Sequence, residues 1–138
     1  MAAEPGSLVL VVDDDDGICE LLSVLIKKEG HRVEFSVDGE DARRKALALK
    51  PDLIVLDLML PRYGGFELLR HLQGTELSGV PIIVVTGRHT DYSTSEMIRR
   101  ESNVVELLEK PVNIPRFRAV LQRALRPSLA AGGASEAA

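Results

Sequence analysis

Asp13 with Asp14, Asp57, Thr86 and Lys110 each stand just past the end of a short apolar run. The runs are Leu8–Val12, Leu53–Leu56, Val80–Val85 and Val104–Leu108. Three carboxylates, a hydroxyl and an ammonium become a chemical set only if the fold gathers positions 13 to 110 into one cleft. Gathered and partly desolvated, the acids repel one another and hold protons more tightly than free carboxylates do. A divalent cation relieves that repulsion. An oxygen-only donor set without His or Cys selects a hard ion, Mg²⁺, which keeps several waters and takes few protein ligands. Beside such an ion, a carboxylate can attack a phosphoryl group and form an acyl phosphate. The ion then neutralises two equatorial oxygens, Lys110 can cover a third, and Thr86 can donate a hydrogen bond to the same group.

The elements that must position this set follow from the apolar period. Leu8–Val12 is continuous and Val-rich, as in a strand buried on both faces. Ile18, Leu21, Leu22, Leu25 and Ile26 recur at three and four, a helix closed by Gly30. Residues 32–37 alternate through Val33, Phe35 and Val37 and read as a more exposed strand, suited to a sheet edge. A helix over Gly39–Leu49 carries Ala42, Ala46 and Leu49 on one stripe and stops at Pro51. Leu53–Leu56 is the third strand; Pro61, Gly64 and Gly65 make a loop before a helix over Phe66–Leu72. Gly74 and Gly79 bracket a further loop before the fourth strand, Val80–Val85. A helix near Thr94–Arg100, the fifth strand Val104–Leu108, and a last helix through Ile114, Phe117, Val120, Leu121 and Leu125 complete the pattern.

Strands separated by helices predict a parallel α/β sheet with right-handed crossovers and helices on both faces. The length suits a five-stranded, doubly wound, flavodoxin-like three-layer α/β/α sheet in the order 2-1-3-4-5. Its strand order reverses between the first and third strands, and ligands bind beyond the carboxyl ends there. Asp13, Asp14 and Asp57 fall at that point.

Composition narrows the field. The 138 residues are 45% hydrophobic and 28% charged, enough for one ordinary globular domain. Seventeen Lys and Arg against 21 Asp and Glu leave a net charge of -4, which disfavours binding to nucleic acid or a membrane surface. Cys19 is the single cysteine, so disulfide frameworks and Cys-rich metal sites are excluded. No apolar run reaches the length of a membrane span, and the first residues lack the basic start of a secretory signal; a cytoplasmic protein is expected. Residues 1–6 are expected to be disordered, 7–126 to form the domain, and 127–138 to be a flexible Ala/Gly tail or linker remnant.

The segments LVLVVDDDD (8 to 16), LIVLDLMLPRYGGFELL (53 to 69), PIIVVTG (81 to 87) and LEKPV (108 to 112) together resemble the receiver domain of bacterial two-component response regulators. The resemblance implies that Asp57 is the phosphoacceptor. It implies that Asp13, Asp14, Asp57 and the backbone carbonyl of Met59 hold Mg²⁺, that Lys110 pairs with the phosphoryl group, and that the Thr86 hydroxyl moves toward it. The implied donor is a sensor histidine kinase or a phosphotransfer protein. Output then passes through the fourth helix, fifth strand and fifth helix to a downstream partner, or to an output domain beyond the Ala/Gly tail. The chain is expected to be a monomer or weak homodimer.

Three departures from the family pattern stand out. Leu107 occupies the position of an aromatic residue whose rotamer reports phosphorylation, Glu101-Ser102-Asn103 replaces a Gly-Ala pair, and the segment from Thr86 to Lys110 is a couple of residues longer than usual. Apolar Met59 and bulky Arg88, two residues beyond Asp57 and Thr86, predict slow self-dephosphorylation, because neither orients an attacking water.

Other readings fit less of the chain. Asp15 or Asp16 is expected to cap the first helix. Asp14-Asp15-Asp16-Gly17 spells the D-x-D-G of haloacid-dehalogenase-type phosphatases, but their further catalytic segments are missing. An EF-hand loop with Gly17 as its glycine would put Val12 at the first ligand position and Ser23 where a Glu belongs. A phosphorylation-independent interaction module would be favoured by loss of an acid or the lysine, and none is lost. His31, His71 and His89 share no ligand spacing, and Cys19 reads as structural.

Overall fold

The computed structural model describes residues 6–59, 65–87, 92–101 and 103–125. In chain order the elements are β1 (Leu8–Val12), α1 (Asp16–Lys28), β2 (Arg32–Ser36), α2 (Gly39–Leu49), β3 (Leu53–Asp57), α3 (Gly65–Gln73), a 3₁₀ turn (Glu76–Gly79), β4 (Ile82–Thr86), α4 (Tyr92–Arg99), β5 (Val104–Glu109) and α5 (Ile114–Ala124). The five strands form one parallel sheet in the order β2-β1-β3-β4-β5, the doubly wound arrangement expected from the alternation of strand and helix patterns. Among the described residues no helix is long and apolar enough to cross a membrane.

Both faces of the sheet are covered because successive side chains of each strand point to opposite sides. Leu10, Val12, Ile54, Leu56, Ile82 and Val84 pack with Ala42 and Ala46 of α2, Leu68 and Leu72 of α3 and Ile98 of α4. Their neighbours Val9, Val11, Leu53, Val55, Ile83 and Val85 pack with Leu22 and Ile26 of α1 and Phe117, Val120 and Leu121 of α5. The continuous apolar runs of β1, β3 and β4 follow from this double burial, and the weaker pattern of β2 from its place at the edge.

Helix ends use local chemistry. The Asp15 carboxylate caps α1 by accepting from the Ile18 N–H, Asp38 caps α2 through the Asp41 N–H, and Asn113 caps α5 through the Arg116 N–H. Gly30, at φ +90°, lets the chain reverse after α1. Beside α2, the buried Ser36 hydroxyl donates to Asp41 at 2.6 Å, and this bond first, with Lys45 and Arg44 behind it, holds the Asp41 carboxyl below its ordinary range.

Some expectations are corrected. The fourth strand starts at Ile82 rather than Val80, because the Val80 N–H closes the 3₁₀ turn on the Leu77 carbonyl and Pro81 has no N–H to give. The segment between Gly74 and Gly79 contains that turn. Leu49 and Ile114 are exposed, because each lies at a helix terminus beyond the reach of the core. Val37 lies past the end of β2 and is also exposed. Helix α4 begins at Tyr92, two residues earlier than its apolar residues suggest. Pro61, Gly64, Arg88, His89, Ser102 and the tail from Arg126 lie outside the described residues, as do positions 1–5.

The unusual entry to β5 has a structural account. Asn103 is buried; its side-chain amide donates to the Val80 carbonyl at 2.8 Å, and its side-chain oxygen accepts from Gln73 Nε2 at 2.6 Å. Its backbone carbonyl accepts the Ile82 N–H at 2.8 Å. Gln73 also donates to Glu101 at 3.1 Å, so the end of α3 is tied to the turn before β5. Asn103→Ala strands the Val80 carbonyl and half of the Gln73 amide. It is expected to cost about 2 kcal/mol, seen as a lower urea midpoint at unchanged slope. An unchanged midpoint would mean that the network is dispensable.

Strand β5 also contains a bulge. Ile82 faces Val104, but Ile83 faces Glu106, so Val105 is an extra residue on the edge strand. The bulge takes up one residue of the segment between Thr86 and Lys110, and the ladder resumes with Ile83 opposite Glu106 and continues to Thr86 opposite Glu109.

Candidate phosphoacceptor site

The strand ends deliver the site. β1 and β3 are direct neighbours, with Val12 opposite Leu56, so Asp13 and Asp57 emerge side by side at the switch point. Both side chains sink into the molecule: Asp13 is 2% exposed and Asp57 3%. Asp14 turns outward at the rim. One carboxylate oxygen from each of Asp13, Asp14 and Asp57 lies within 4.8 Å of the others.

Lys110 closes this acidic pocket from β5. Its Nζ lies 3.0 Å from Asp13 Oδ2 and 3.2 Å from Asp57 Oδ2. The remaining oxygens are held by backbone: the Asp15 N–H donates to Asp13 Oδ1 at 2.9 Å and the Met59 N–H to Asp57 Oδ1 at 3.0 Å. Sequence reasoning missed these two backbone donors. Their only signal is position two residues beyond each acid, where a chain leaving a strand folds its N–H back onto the carboxylate. The Lys110–Pro111 peptide is cis, and the Lys110 N–H donates to the Thr86 carbonyl at 2.8 Å. Thr86 itself is buried at the end of β4, beside β3.

Burial is the largest influence on Asp13 and raises its carboxyl above the ordinary value; the Asp57 charge adds to this, while the Asp15 N–H and Lys110 oppose it. For Lys110, burial alone would lower the ammonium. The hydrogen bond and charge of Asp13, followed by those of Asp57, outweigh it and leave the group raised. The pocket therefore stores negative charge against burial and holds one cation in place by short contacts. Cys19 lies behind it, its thiol directed at the Asp13 carbonyl at 3.4 Å and pushed up to about 11 by burial and then by Asp13, Asp16 and Asp15. Such a thiol is inert near neutral pH, in keeping with a structural role.

The structure brings together Asp13, Asp14, Asp57 and Lys110, with Thr86 and Met59 flanking them; Met59 is 71% exposed. The Asp15, Asp16 and Gly17 of the D-x-D-G string instead form the cap and first turn of α1. His31 is structural, its Nδ1 accepting the Ser7 N–H at 3.1 Å. His71 is exposed on α3.

Comparison with known proteins agrees with this geometry. The sequence model of the response regulator receiver domain matches residues 9–122. The transcriptional regulatory protein AfsQ1 of Streptomyces coelicolor is 38% identical over 124 residues, 87% of this chain and 53% of that protein. The alkaline phosphatase synthesis transcriptional regulatory protein PhoP of Bacillus subtilis is 34% identical over 93% of this chain and 52% of its own length. The chain thus spans about half the length of the curated relatives it matches. Among solved structures, the non-phosphorylated HemR receiver domain of Leptospira biflexa superposes with a TM-score of 0.79 at 26% identity, covering 88% of this chain and 95% of that one. The chemotaxis protein CheY4 of Vibrio cholerae gives 0.77 at 27% identity, over 87% and 99%. With the sheet order, the acidic pocket and the family match in agreement, the chain belongs to the receiver domains of two-component response regulators.

Proposed function

We propose that Asp57 is the phosphoacceptor of this switch, that Asp13, Asp14, Asp57 and the Met59 carbonyl hold Mg²⁺, and that Lys110 and Thr86 bind the transferred phosphoryl group. The observation that carries the reading is the single ammonium shared by two buried carboxylates, with a third acid within reach. Three hard oxygen donors without His or Cys fit a small divalent cation that retains water. When bound, the ion supplies positive charge to the phosphoryl oxygens.

The chain's own residues supply the rest. Asp57 offers a carboxylate oxygen to the phosphorus of a phosphohistidine on a sensor kinase or phosphotransfer protein; the P–N bond breaks as the O–P bond forms. Lys110, already 3.2 Å from Asp57 Oδ2, follows the added oxygens. Thr86 donates its hydroxyl to them, which shifts the end of β4 toward the pocket and repacks α4 in a two-state equilibrium. On this side of the sheet Leu107 replaces the aromatic reporter. It is buried in the layer that includes Ile82, Val84 and Ile98, so the signal passes by α4 and β4 moving against a fixed aliphatic contact. The switched face then controls a partner protein or an output domain, as a monomer or weak homodimer in the cytoplasm, without direct contact to nucleic acid.

Beryllofluoride tests this reading directly. In Mg²⁺ it is expected to bind at Asp57, giving a bound fluorine resonance and amide shifts at Thr86, Gly87 and α4. No bound signal would leave a phosphorylation-independent interaction module. Because exposed, apolar Met59 cannot orient a water, the labelled protein is also expected to hold its phosphoryl group for much longer than seconds in Mg²⁺. The decay of labelled phosphate measures this.

A further inference from the structure

Away from the phosphoacceptor pocket, α2 and α3 enclose an open groove of about 530 Å³ whose lining includes Glu40, Arg43, Leu47, Arg70, His71 and Leu72. Its floor is firm: Leu72 is buried in the core, and half-buried Leu47, packed against that core, is the accessible apolar side chain of the lining. Two guanidiniums stand beside that floor. Of the seven described arginines elsewhere, five find carboxylates, Arg44 with Asp41, Arg99 with Glu96, Arg116 and Arg123 with Glu106, and Arg118 with Glu29, while Arg32 and Arg100 do not. Arg43 and Arg70 have no carboxylate within ion-pair distance among the described residues, although the protein as a whole is acidic at -4.

From this juxtaposition we propose that the α2–α3 groove is a docking site for an acidic, amphipathic segment of a partner protein. An apolar side chain of that segment covers half-buried Leu47, and its carboxylates pair with Arg43 and Arg70. The two guanidiniums outnumber the one carboxylate of the lining, Glu40, so charge complementarity selects an acidic partner. Arginine's planar fork suits carboxylates in a bidentate mode, and the groove volume accommodates one or two side chains. A free phosphate fits less well. Arg70 lies in the last turn of α3, where the helix dipole is negative, Glu40 stands in the same lining, and a free ion leaves the Leu47 side chain uncovered. The groove lies on a different part of the molecule from Asp57 and needs no phosphoryl group, so it would tether a partner in both states of the switch.

The test uses the full chain and three probes: a fluorescently labelled amphipathic Glu/Leu peptide, the same peptide with Lys in place of Glu, and inorganic phosphate. The Glu/Leu peptide is expected to bind, to shift the amides of Leu47, Leu72 and Gly74, and to weaken as salt rises. Combining Arg43→Ala with Arg70→Ala is expected to weaken it by about tenfold or more, with labelling of Asp57 by acetyl phosphate unchanged. Arg70→Glu alone, a surface change that leaves the core intact, is expected to weaken it at least as much as Arg70→Ala. The proposal is overturned if the Glu/Leu peptide does not bind, if the Lys/Leu peptide binds equally well, or if the double variant binds like the parent. It is also overturned if phosphate alone reproduces the shifts, which would make the groove a small-anion site.

Discussion

Asp57→Asn is expected to abolish labelling of the protein by acetyl phosphate in Mg²⁺, with intact mass as the readout. Asparagine is nearly isosteric, and its side-chain oxygen can still accept from the Met59 N–H, which donates to Asp57 Oδ1 at 3.0 Å in the parent. The fold is therefore retained. What disappears is the anionic oxygen that forms the acyl phosphate, and an amide cannot replace it as nucleophile. The loss should be complete rather than partial, because the acceptor atom itself is gone. Asp14→Asn should only weaken labelling through the cation. If mass is still gained in Asp57→Asn and lost in Asp14→Asn, the covalent site lies at the D-x-D-G string and the phosphoacceptor assignment is wrong.

The second large effect concerns stability. Lys110→Met removes the one ammonium that lies 3.0 Å from Asp13 and 3.2 Å from Asp57, while keeping most of the aliphatic stem. Two buried carboxylates then face each other with no other ammonium or guanidinium paired to them among the described residues. Breaking a buried pair from one side costs 3–5 kcal/mol in the general case. Here the Lys110 side chain is 24% exposed, so a loss of about 2–3 kcal/mol is expected. Mg²⁺ should recover much of it by mass action on the folded state, and EDTA should expose it in full. The pH dependence has a definite sign. Burial already raises the Asp13 carboxyl in the folded protein, so protonation favours the folded state and the deficit should shrink as pH falls. A urea midpoint unchanged in EDTA would show that the ammonium does not neutralise these acids.

Much of the architecture could be read directly because it depends on local period. Helix α2 has the bounds that its pattern and Pro51 predict, and β1 likewise. Asp15 caps α1 because a short acid before an apolar helical stripe satisfies a free N–H. The readings that failed are those in which a distant partner overrides the local pattern. Val80 is as apolar as the strand it precedes, yet its N–H serves the 3₁₀ turn and its carbonyl serves Asn103. Leu49 and Ile114 continue their helical stripes but run past the sheet they would cover.

What the amino-acid order alone determined is the inventory of the site and its order along the chain: two acids, a third acid, a threonine and a lysine, each ending an apolar strand. Strand ends are visible in hydropathy, and the topology of alternating strands and helices admits few arrangements. Only the tertiary structure decided that Lys110 reaches both Asp13 and Asp57. The bulge at Val105 and the buried Asn103 network set the register and entry of the strand that leads to Lys110. It also decided that Arg43 and Arg70, 27 positions apart, border one groove. Hydropathy reports which side of an element is buried; which polar atoms then meet depends on register and packing across residues far apart in the chain, and no local pattern encodes that.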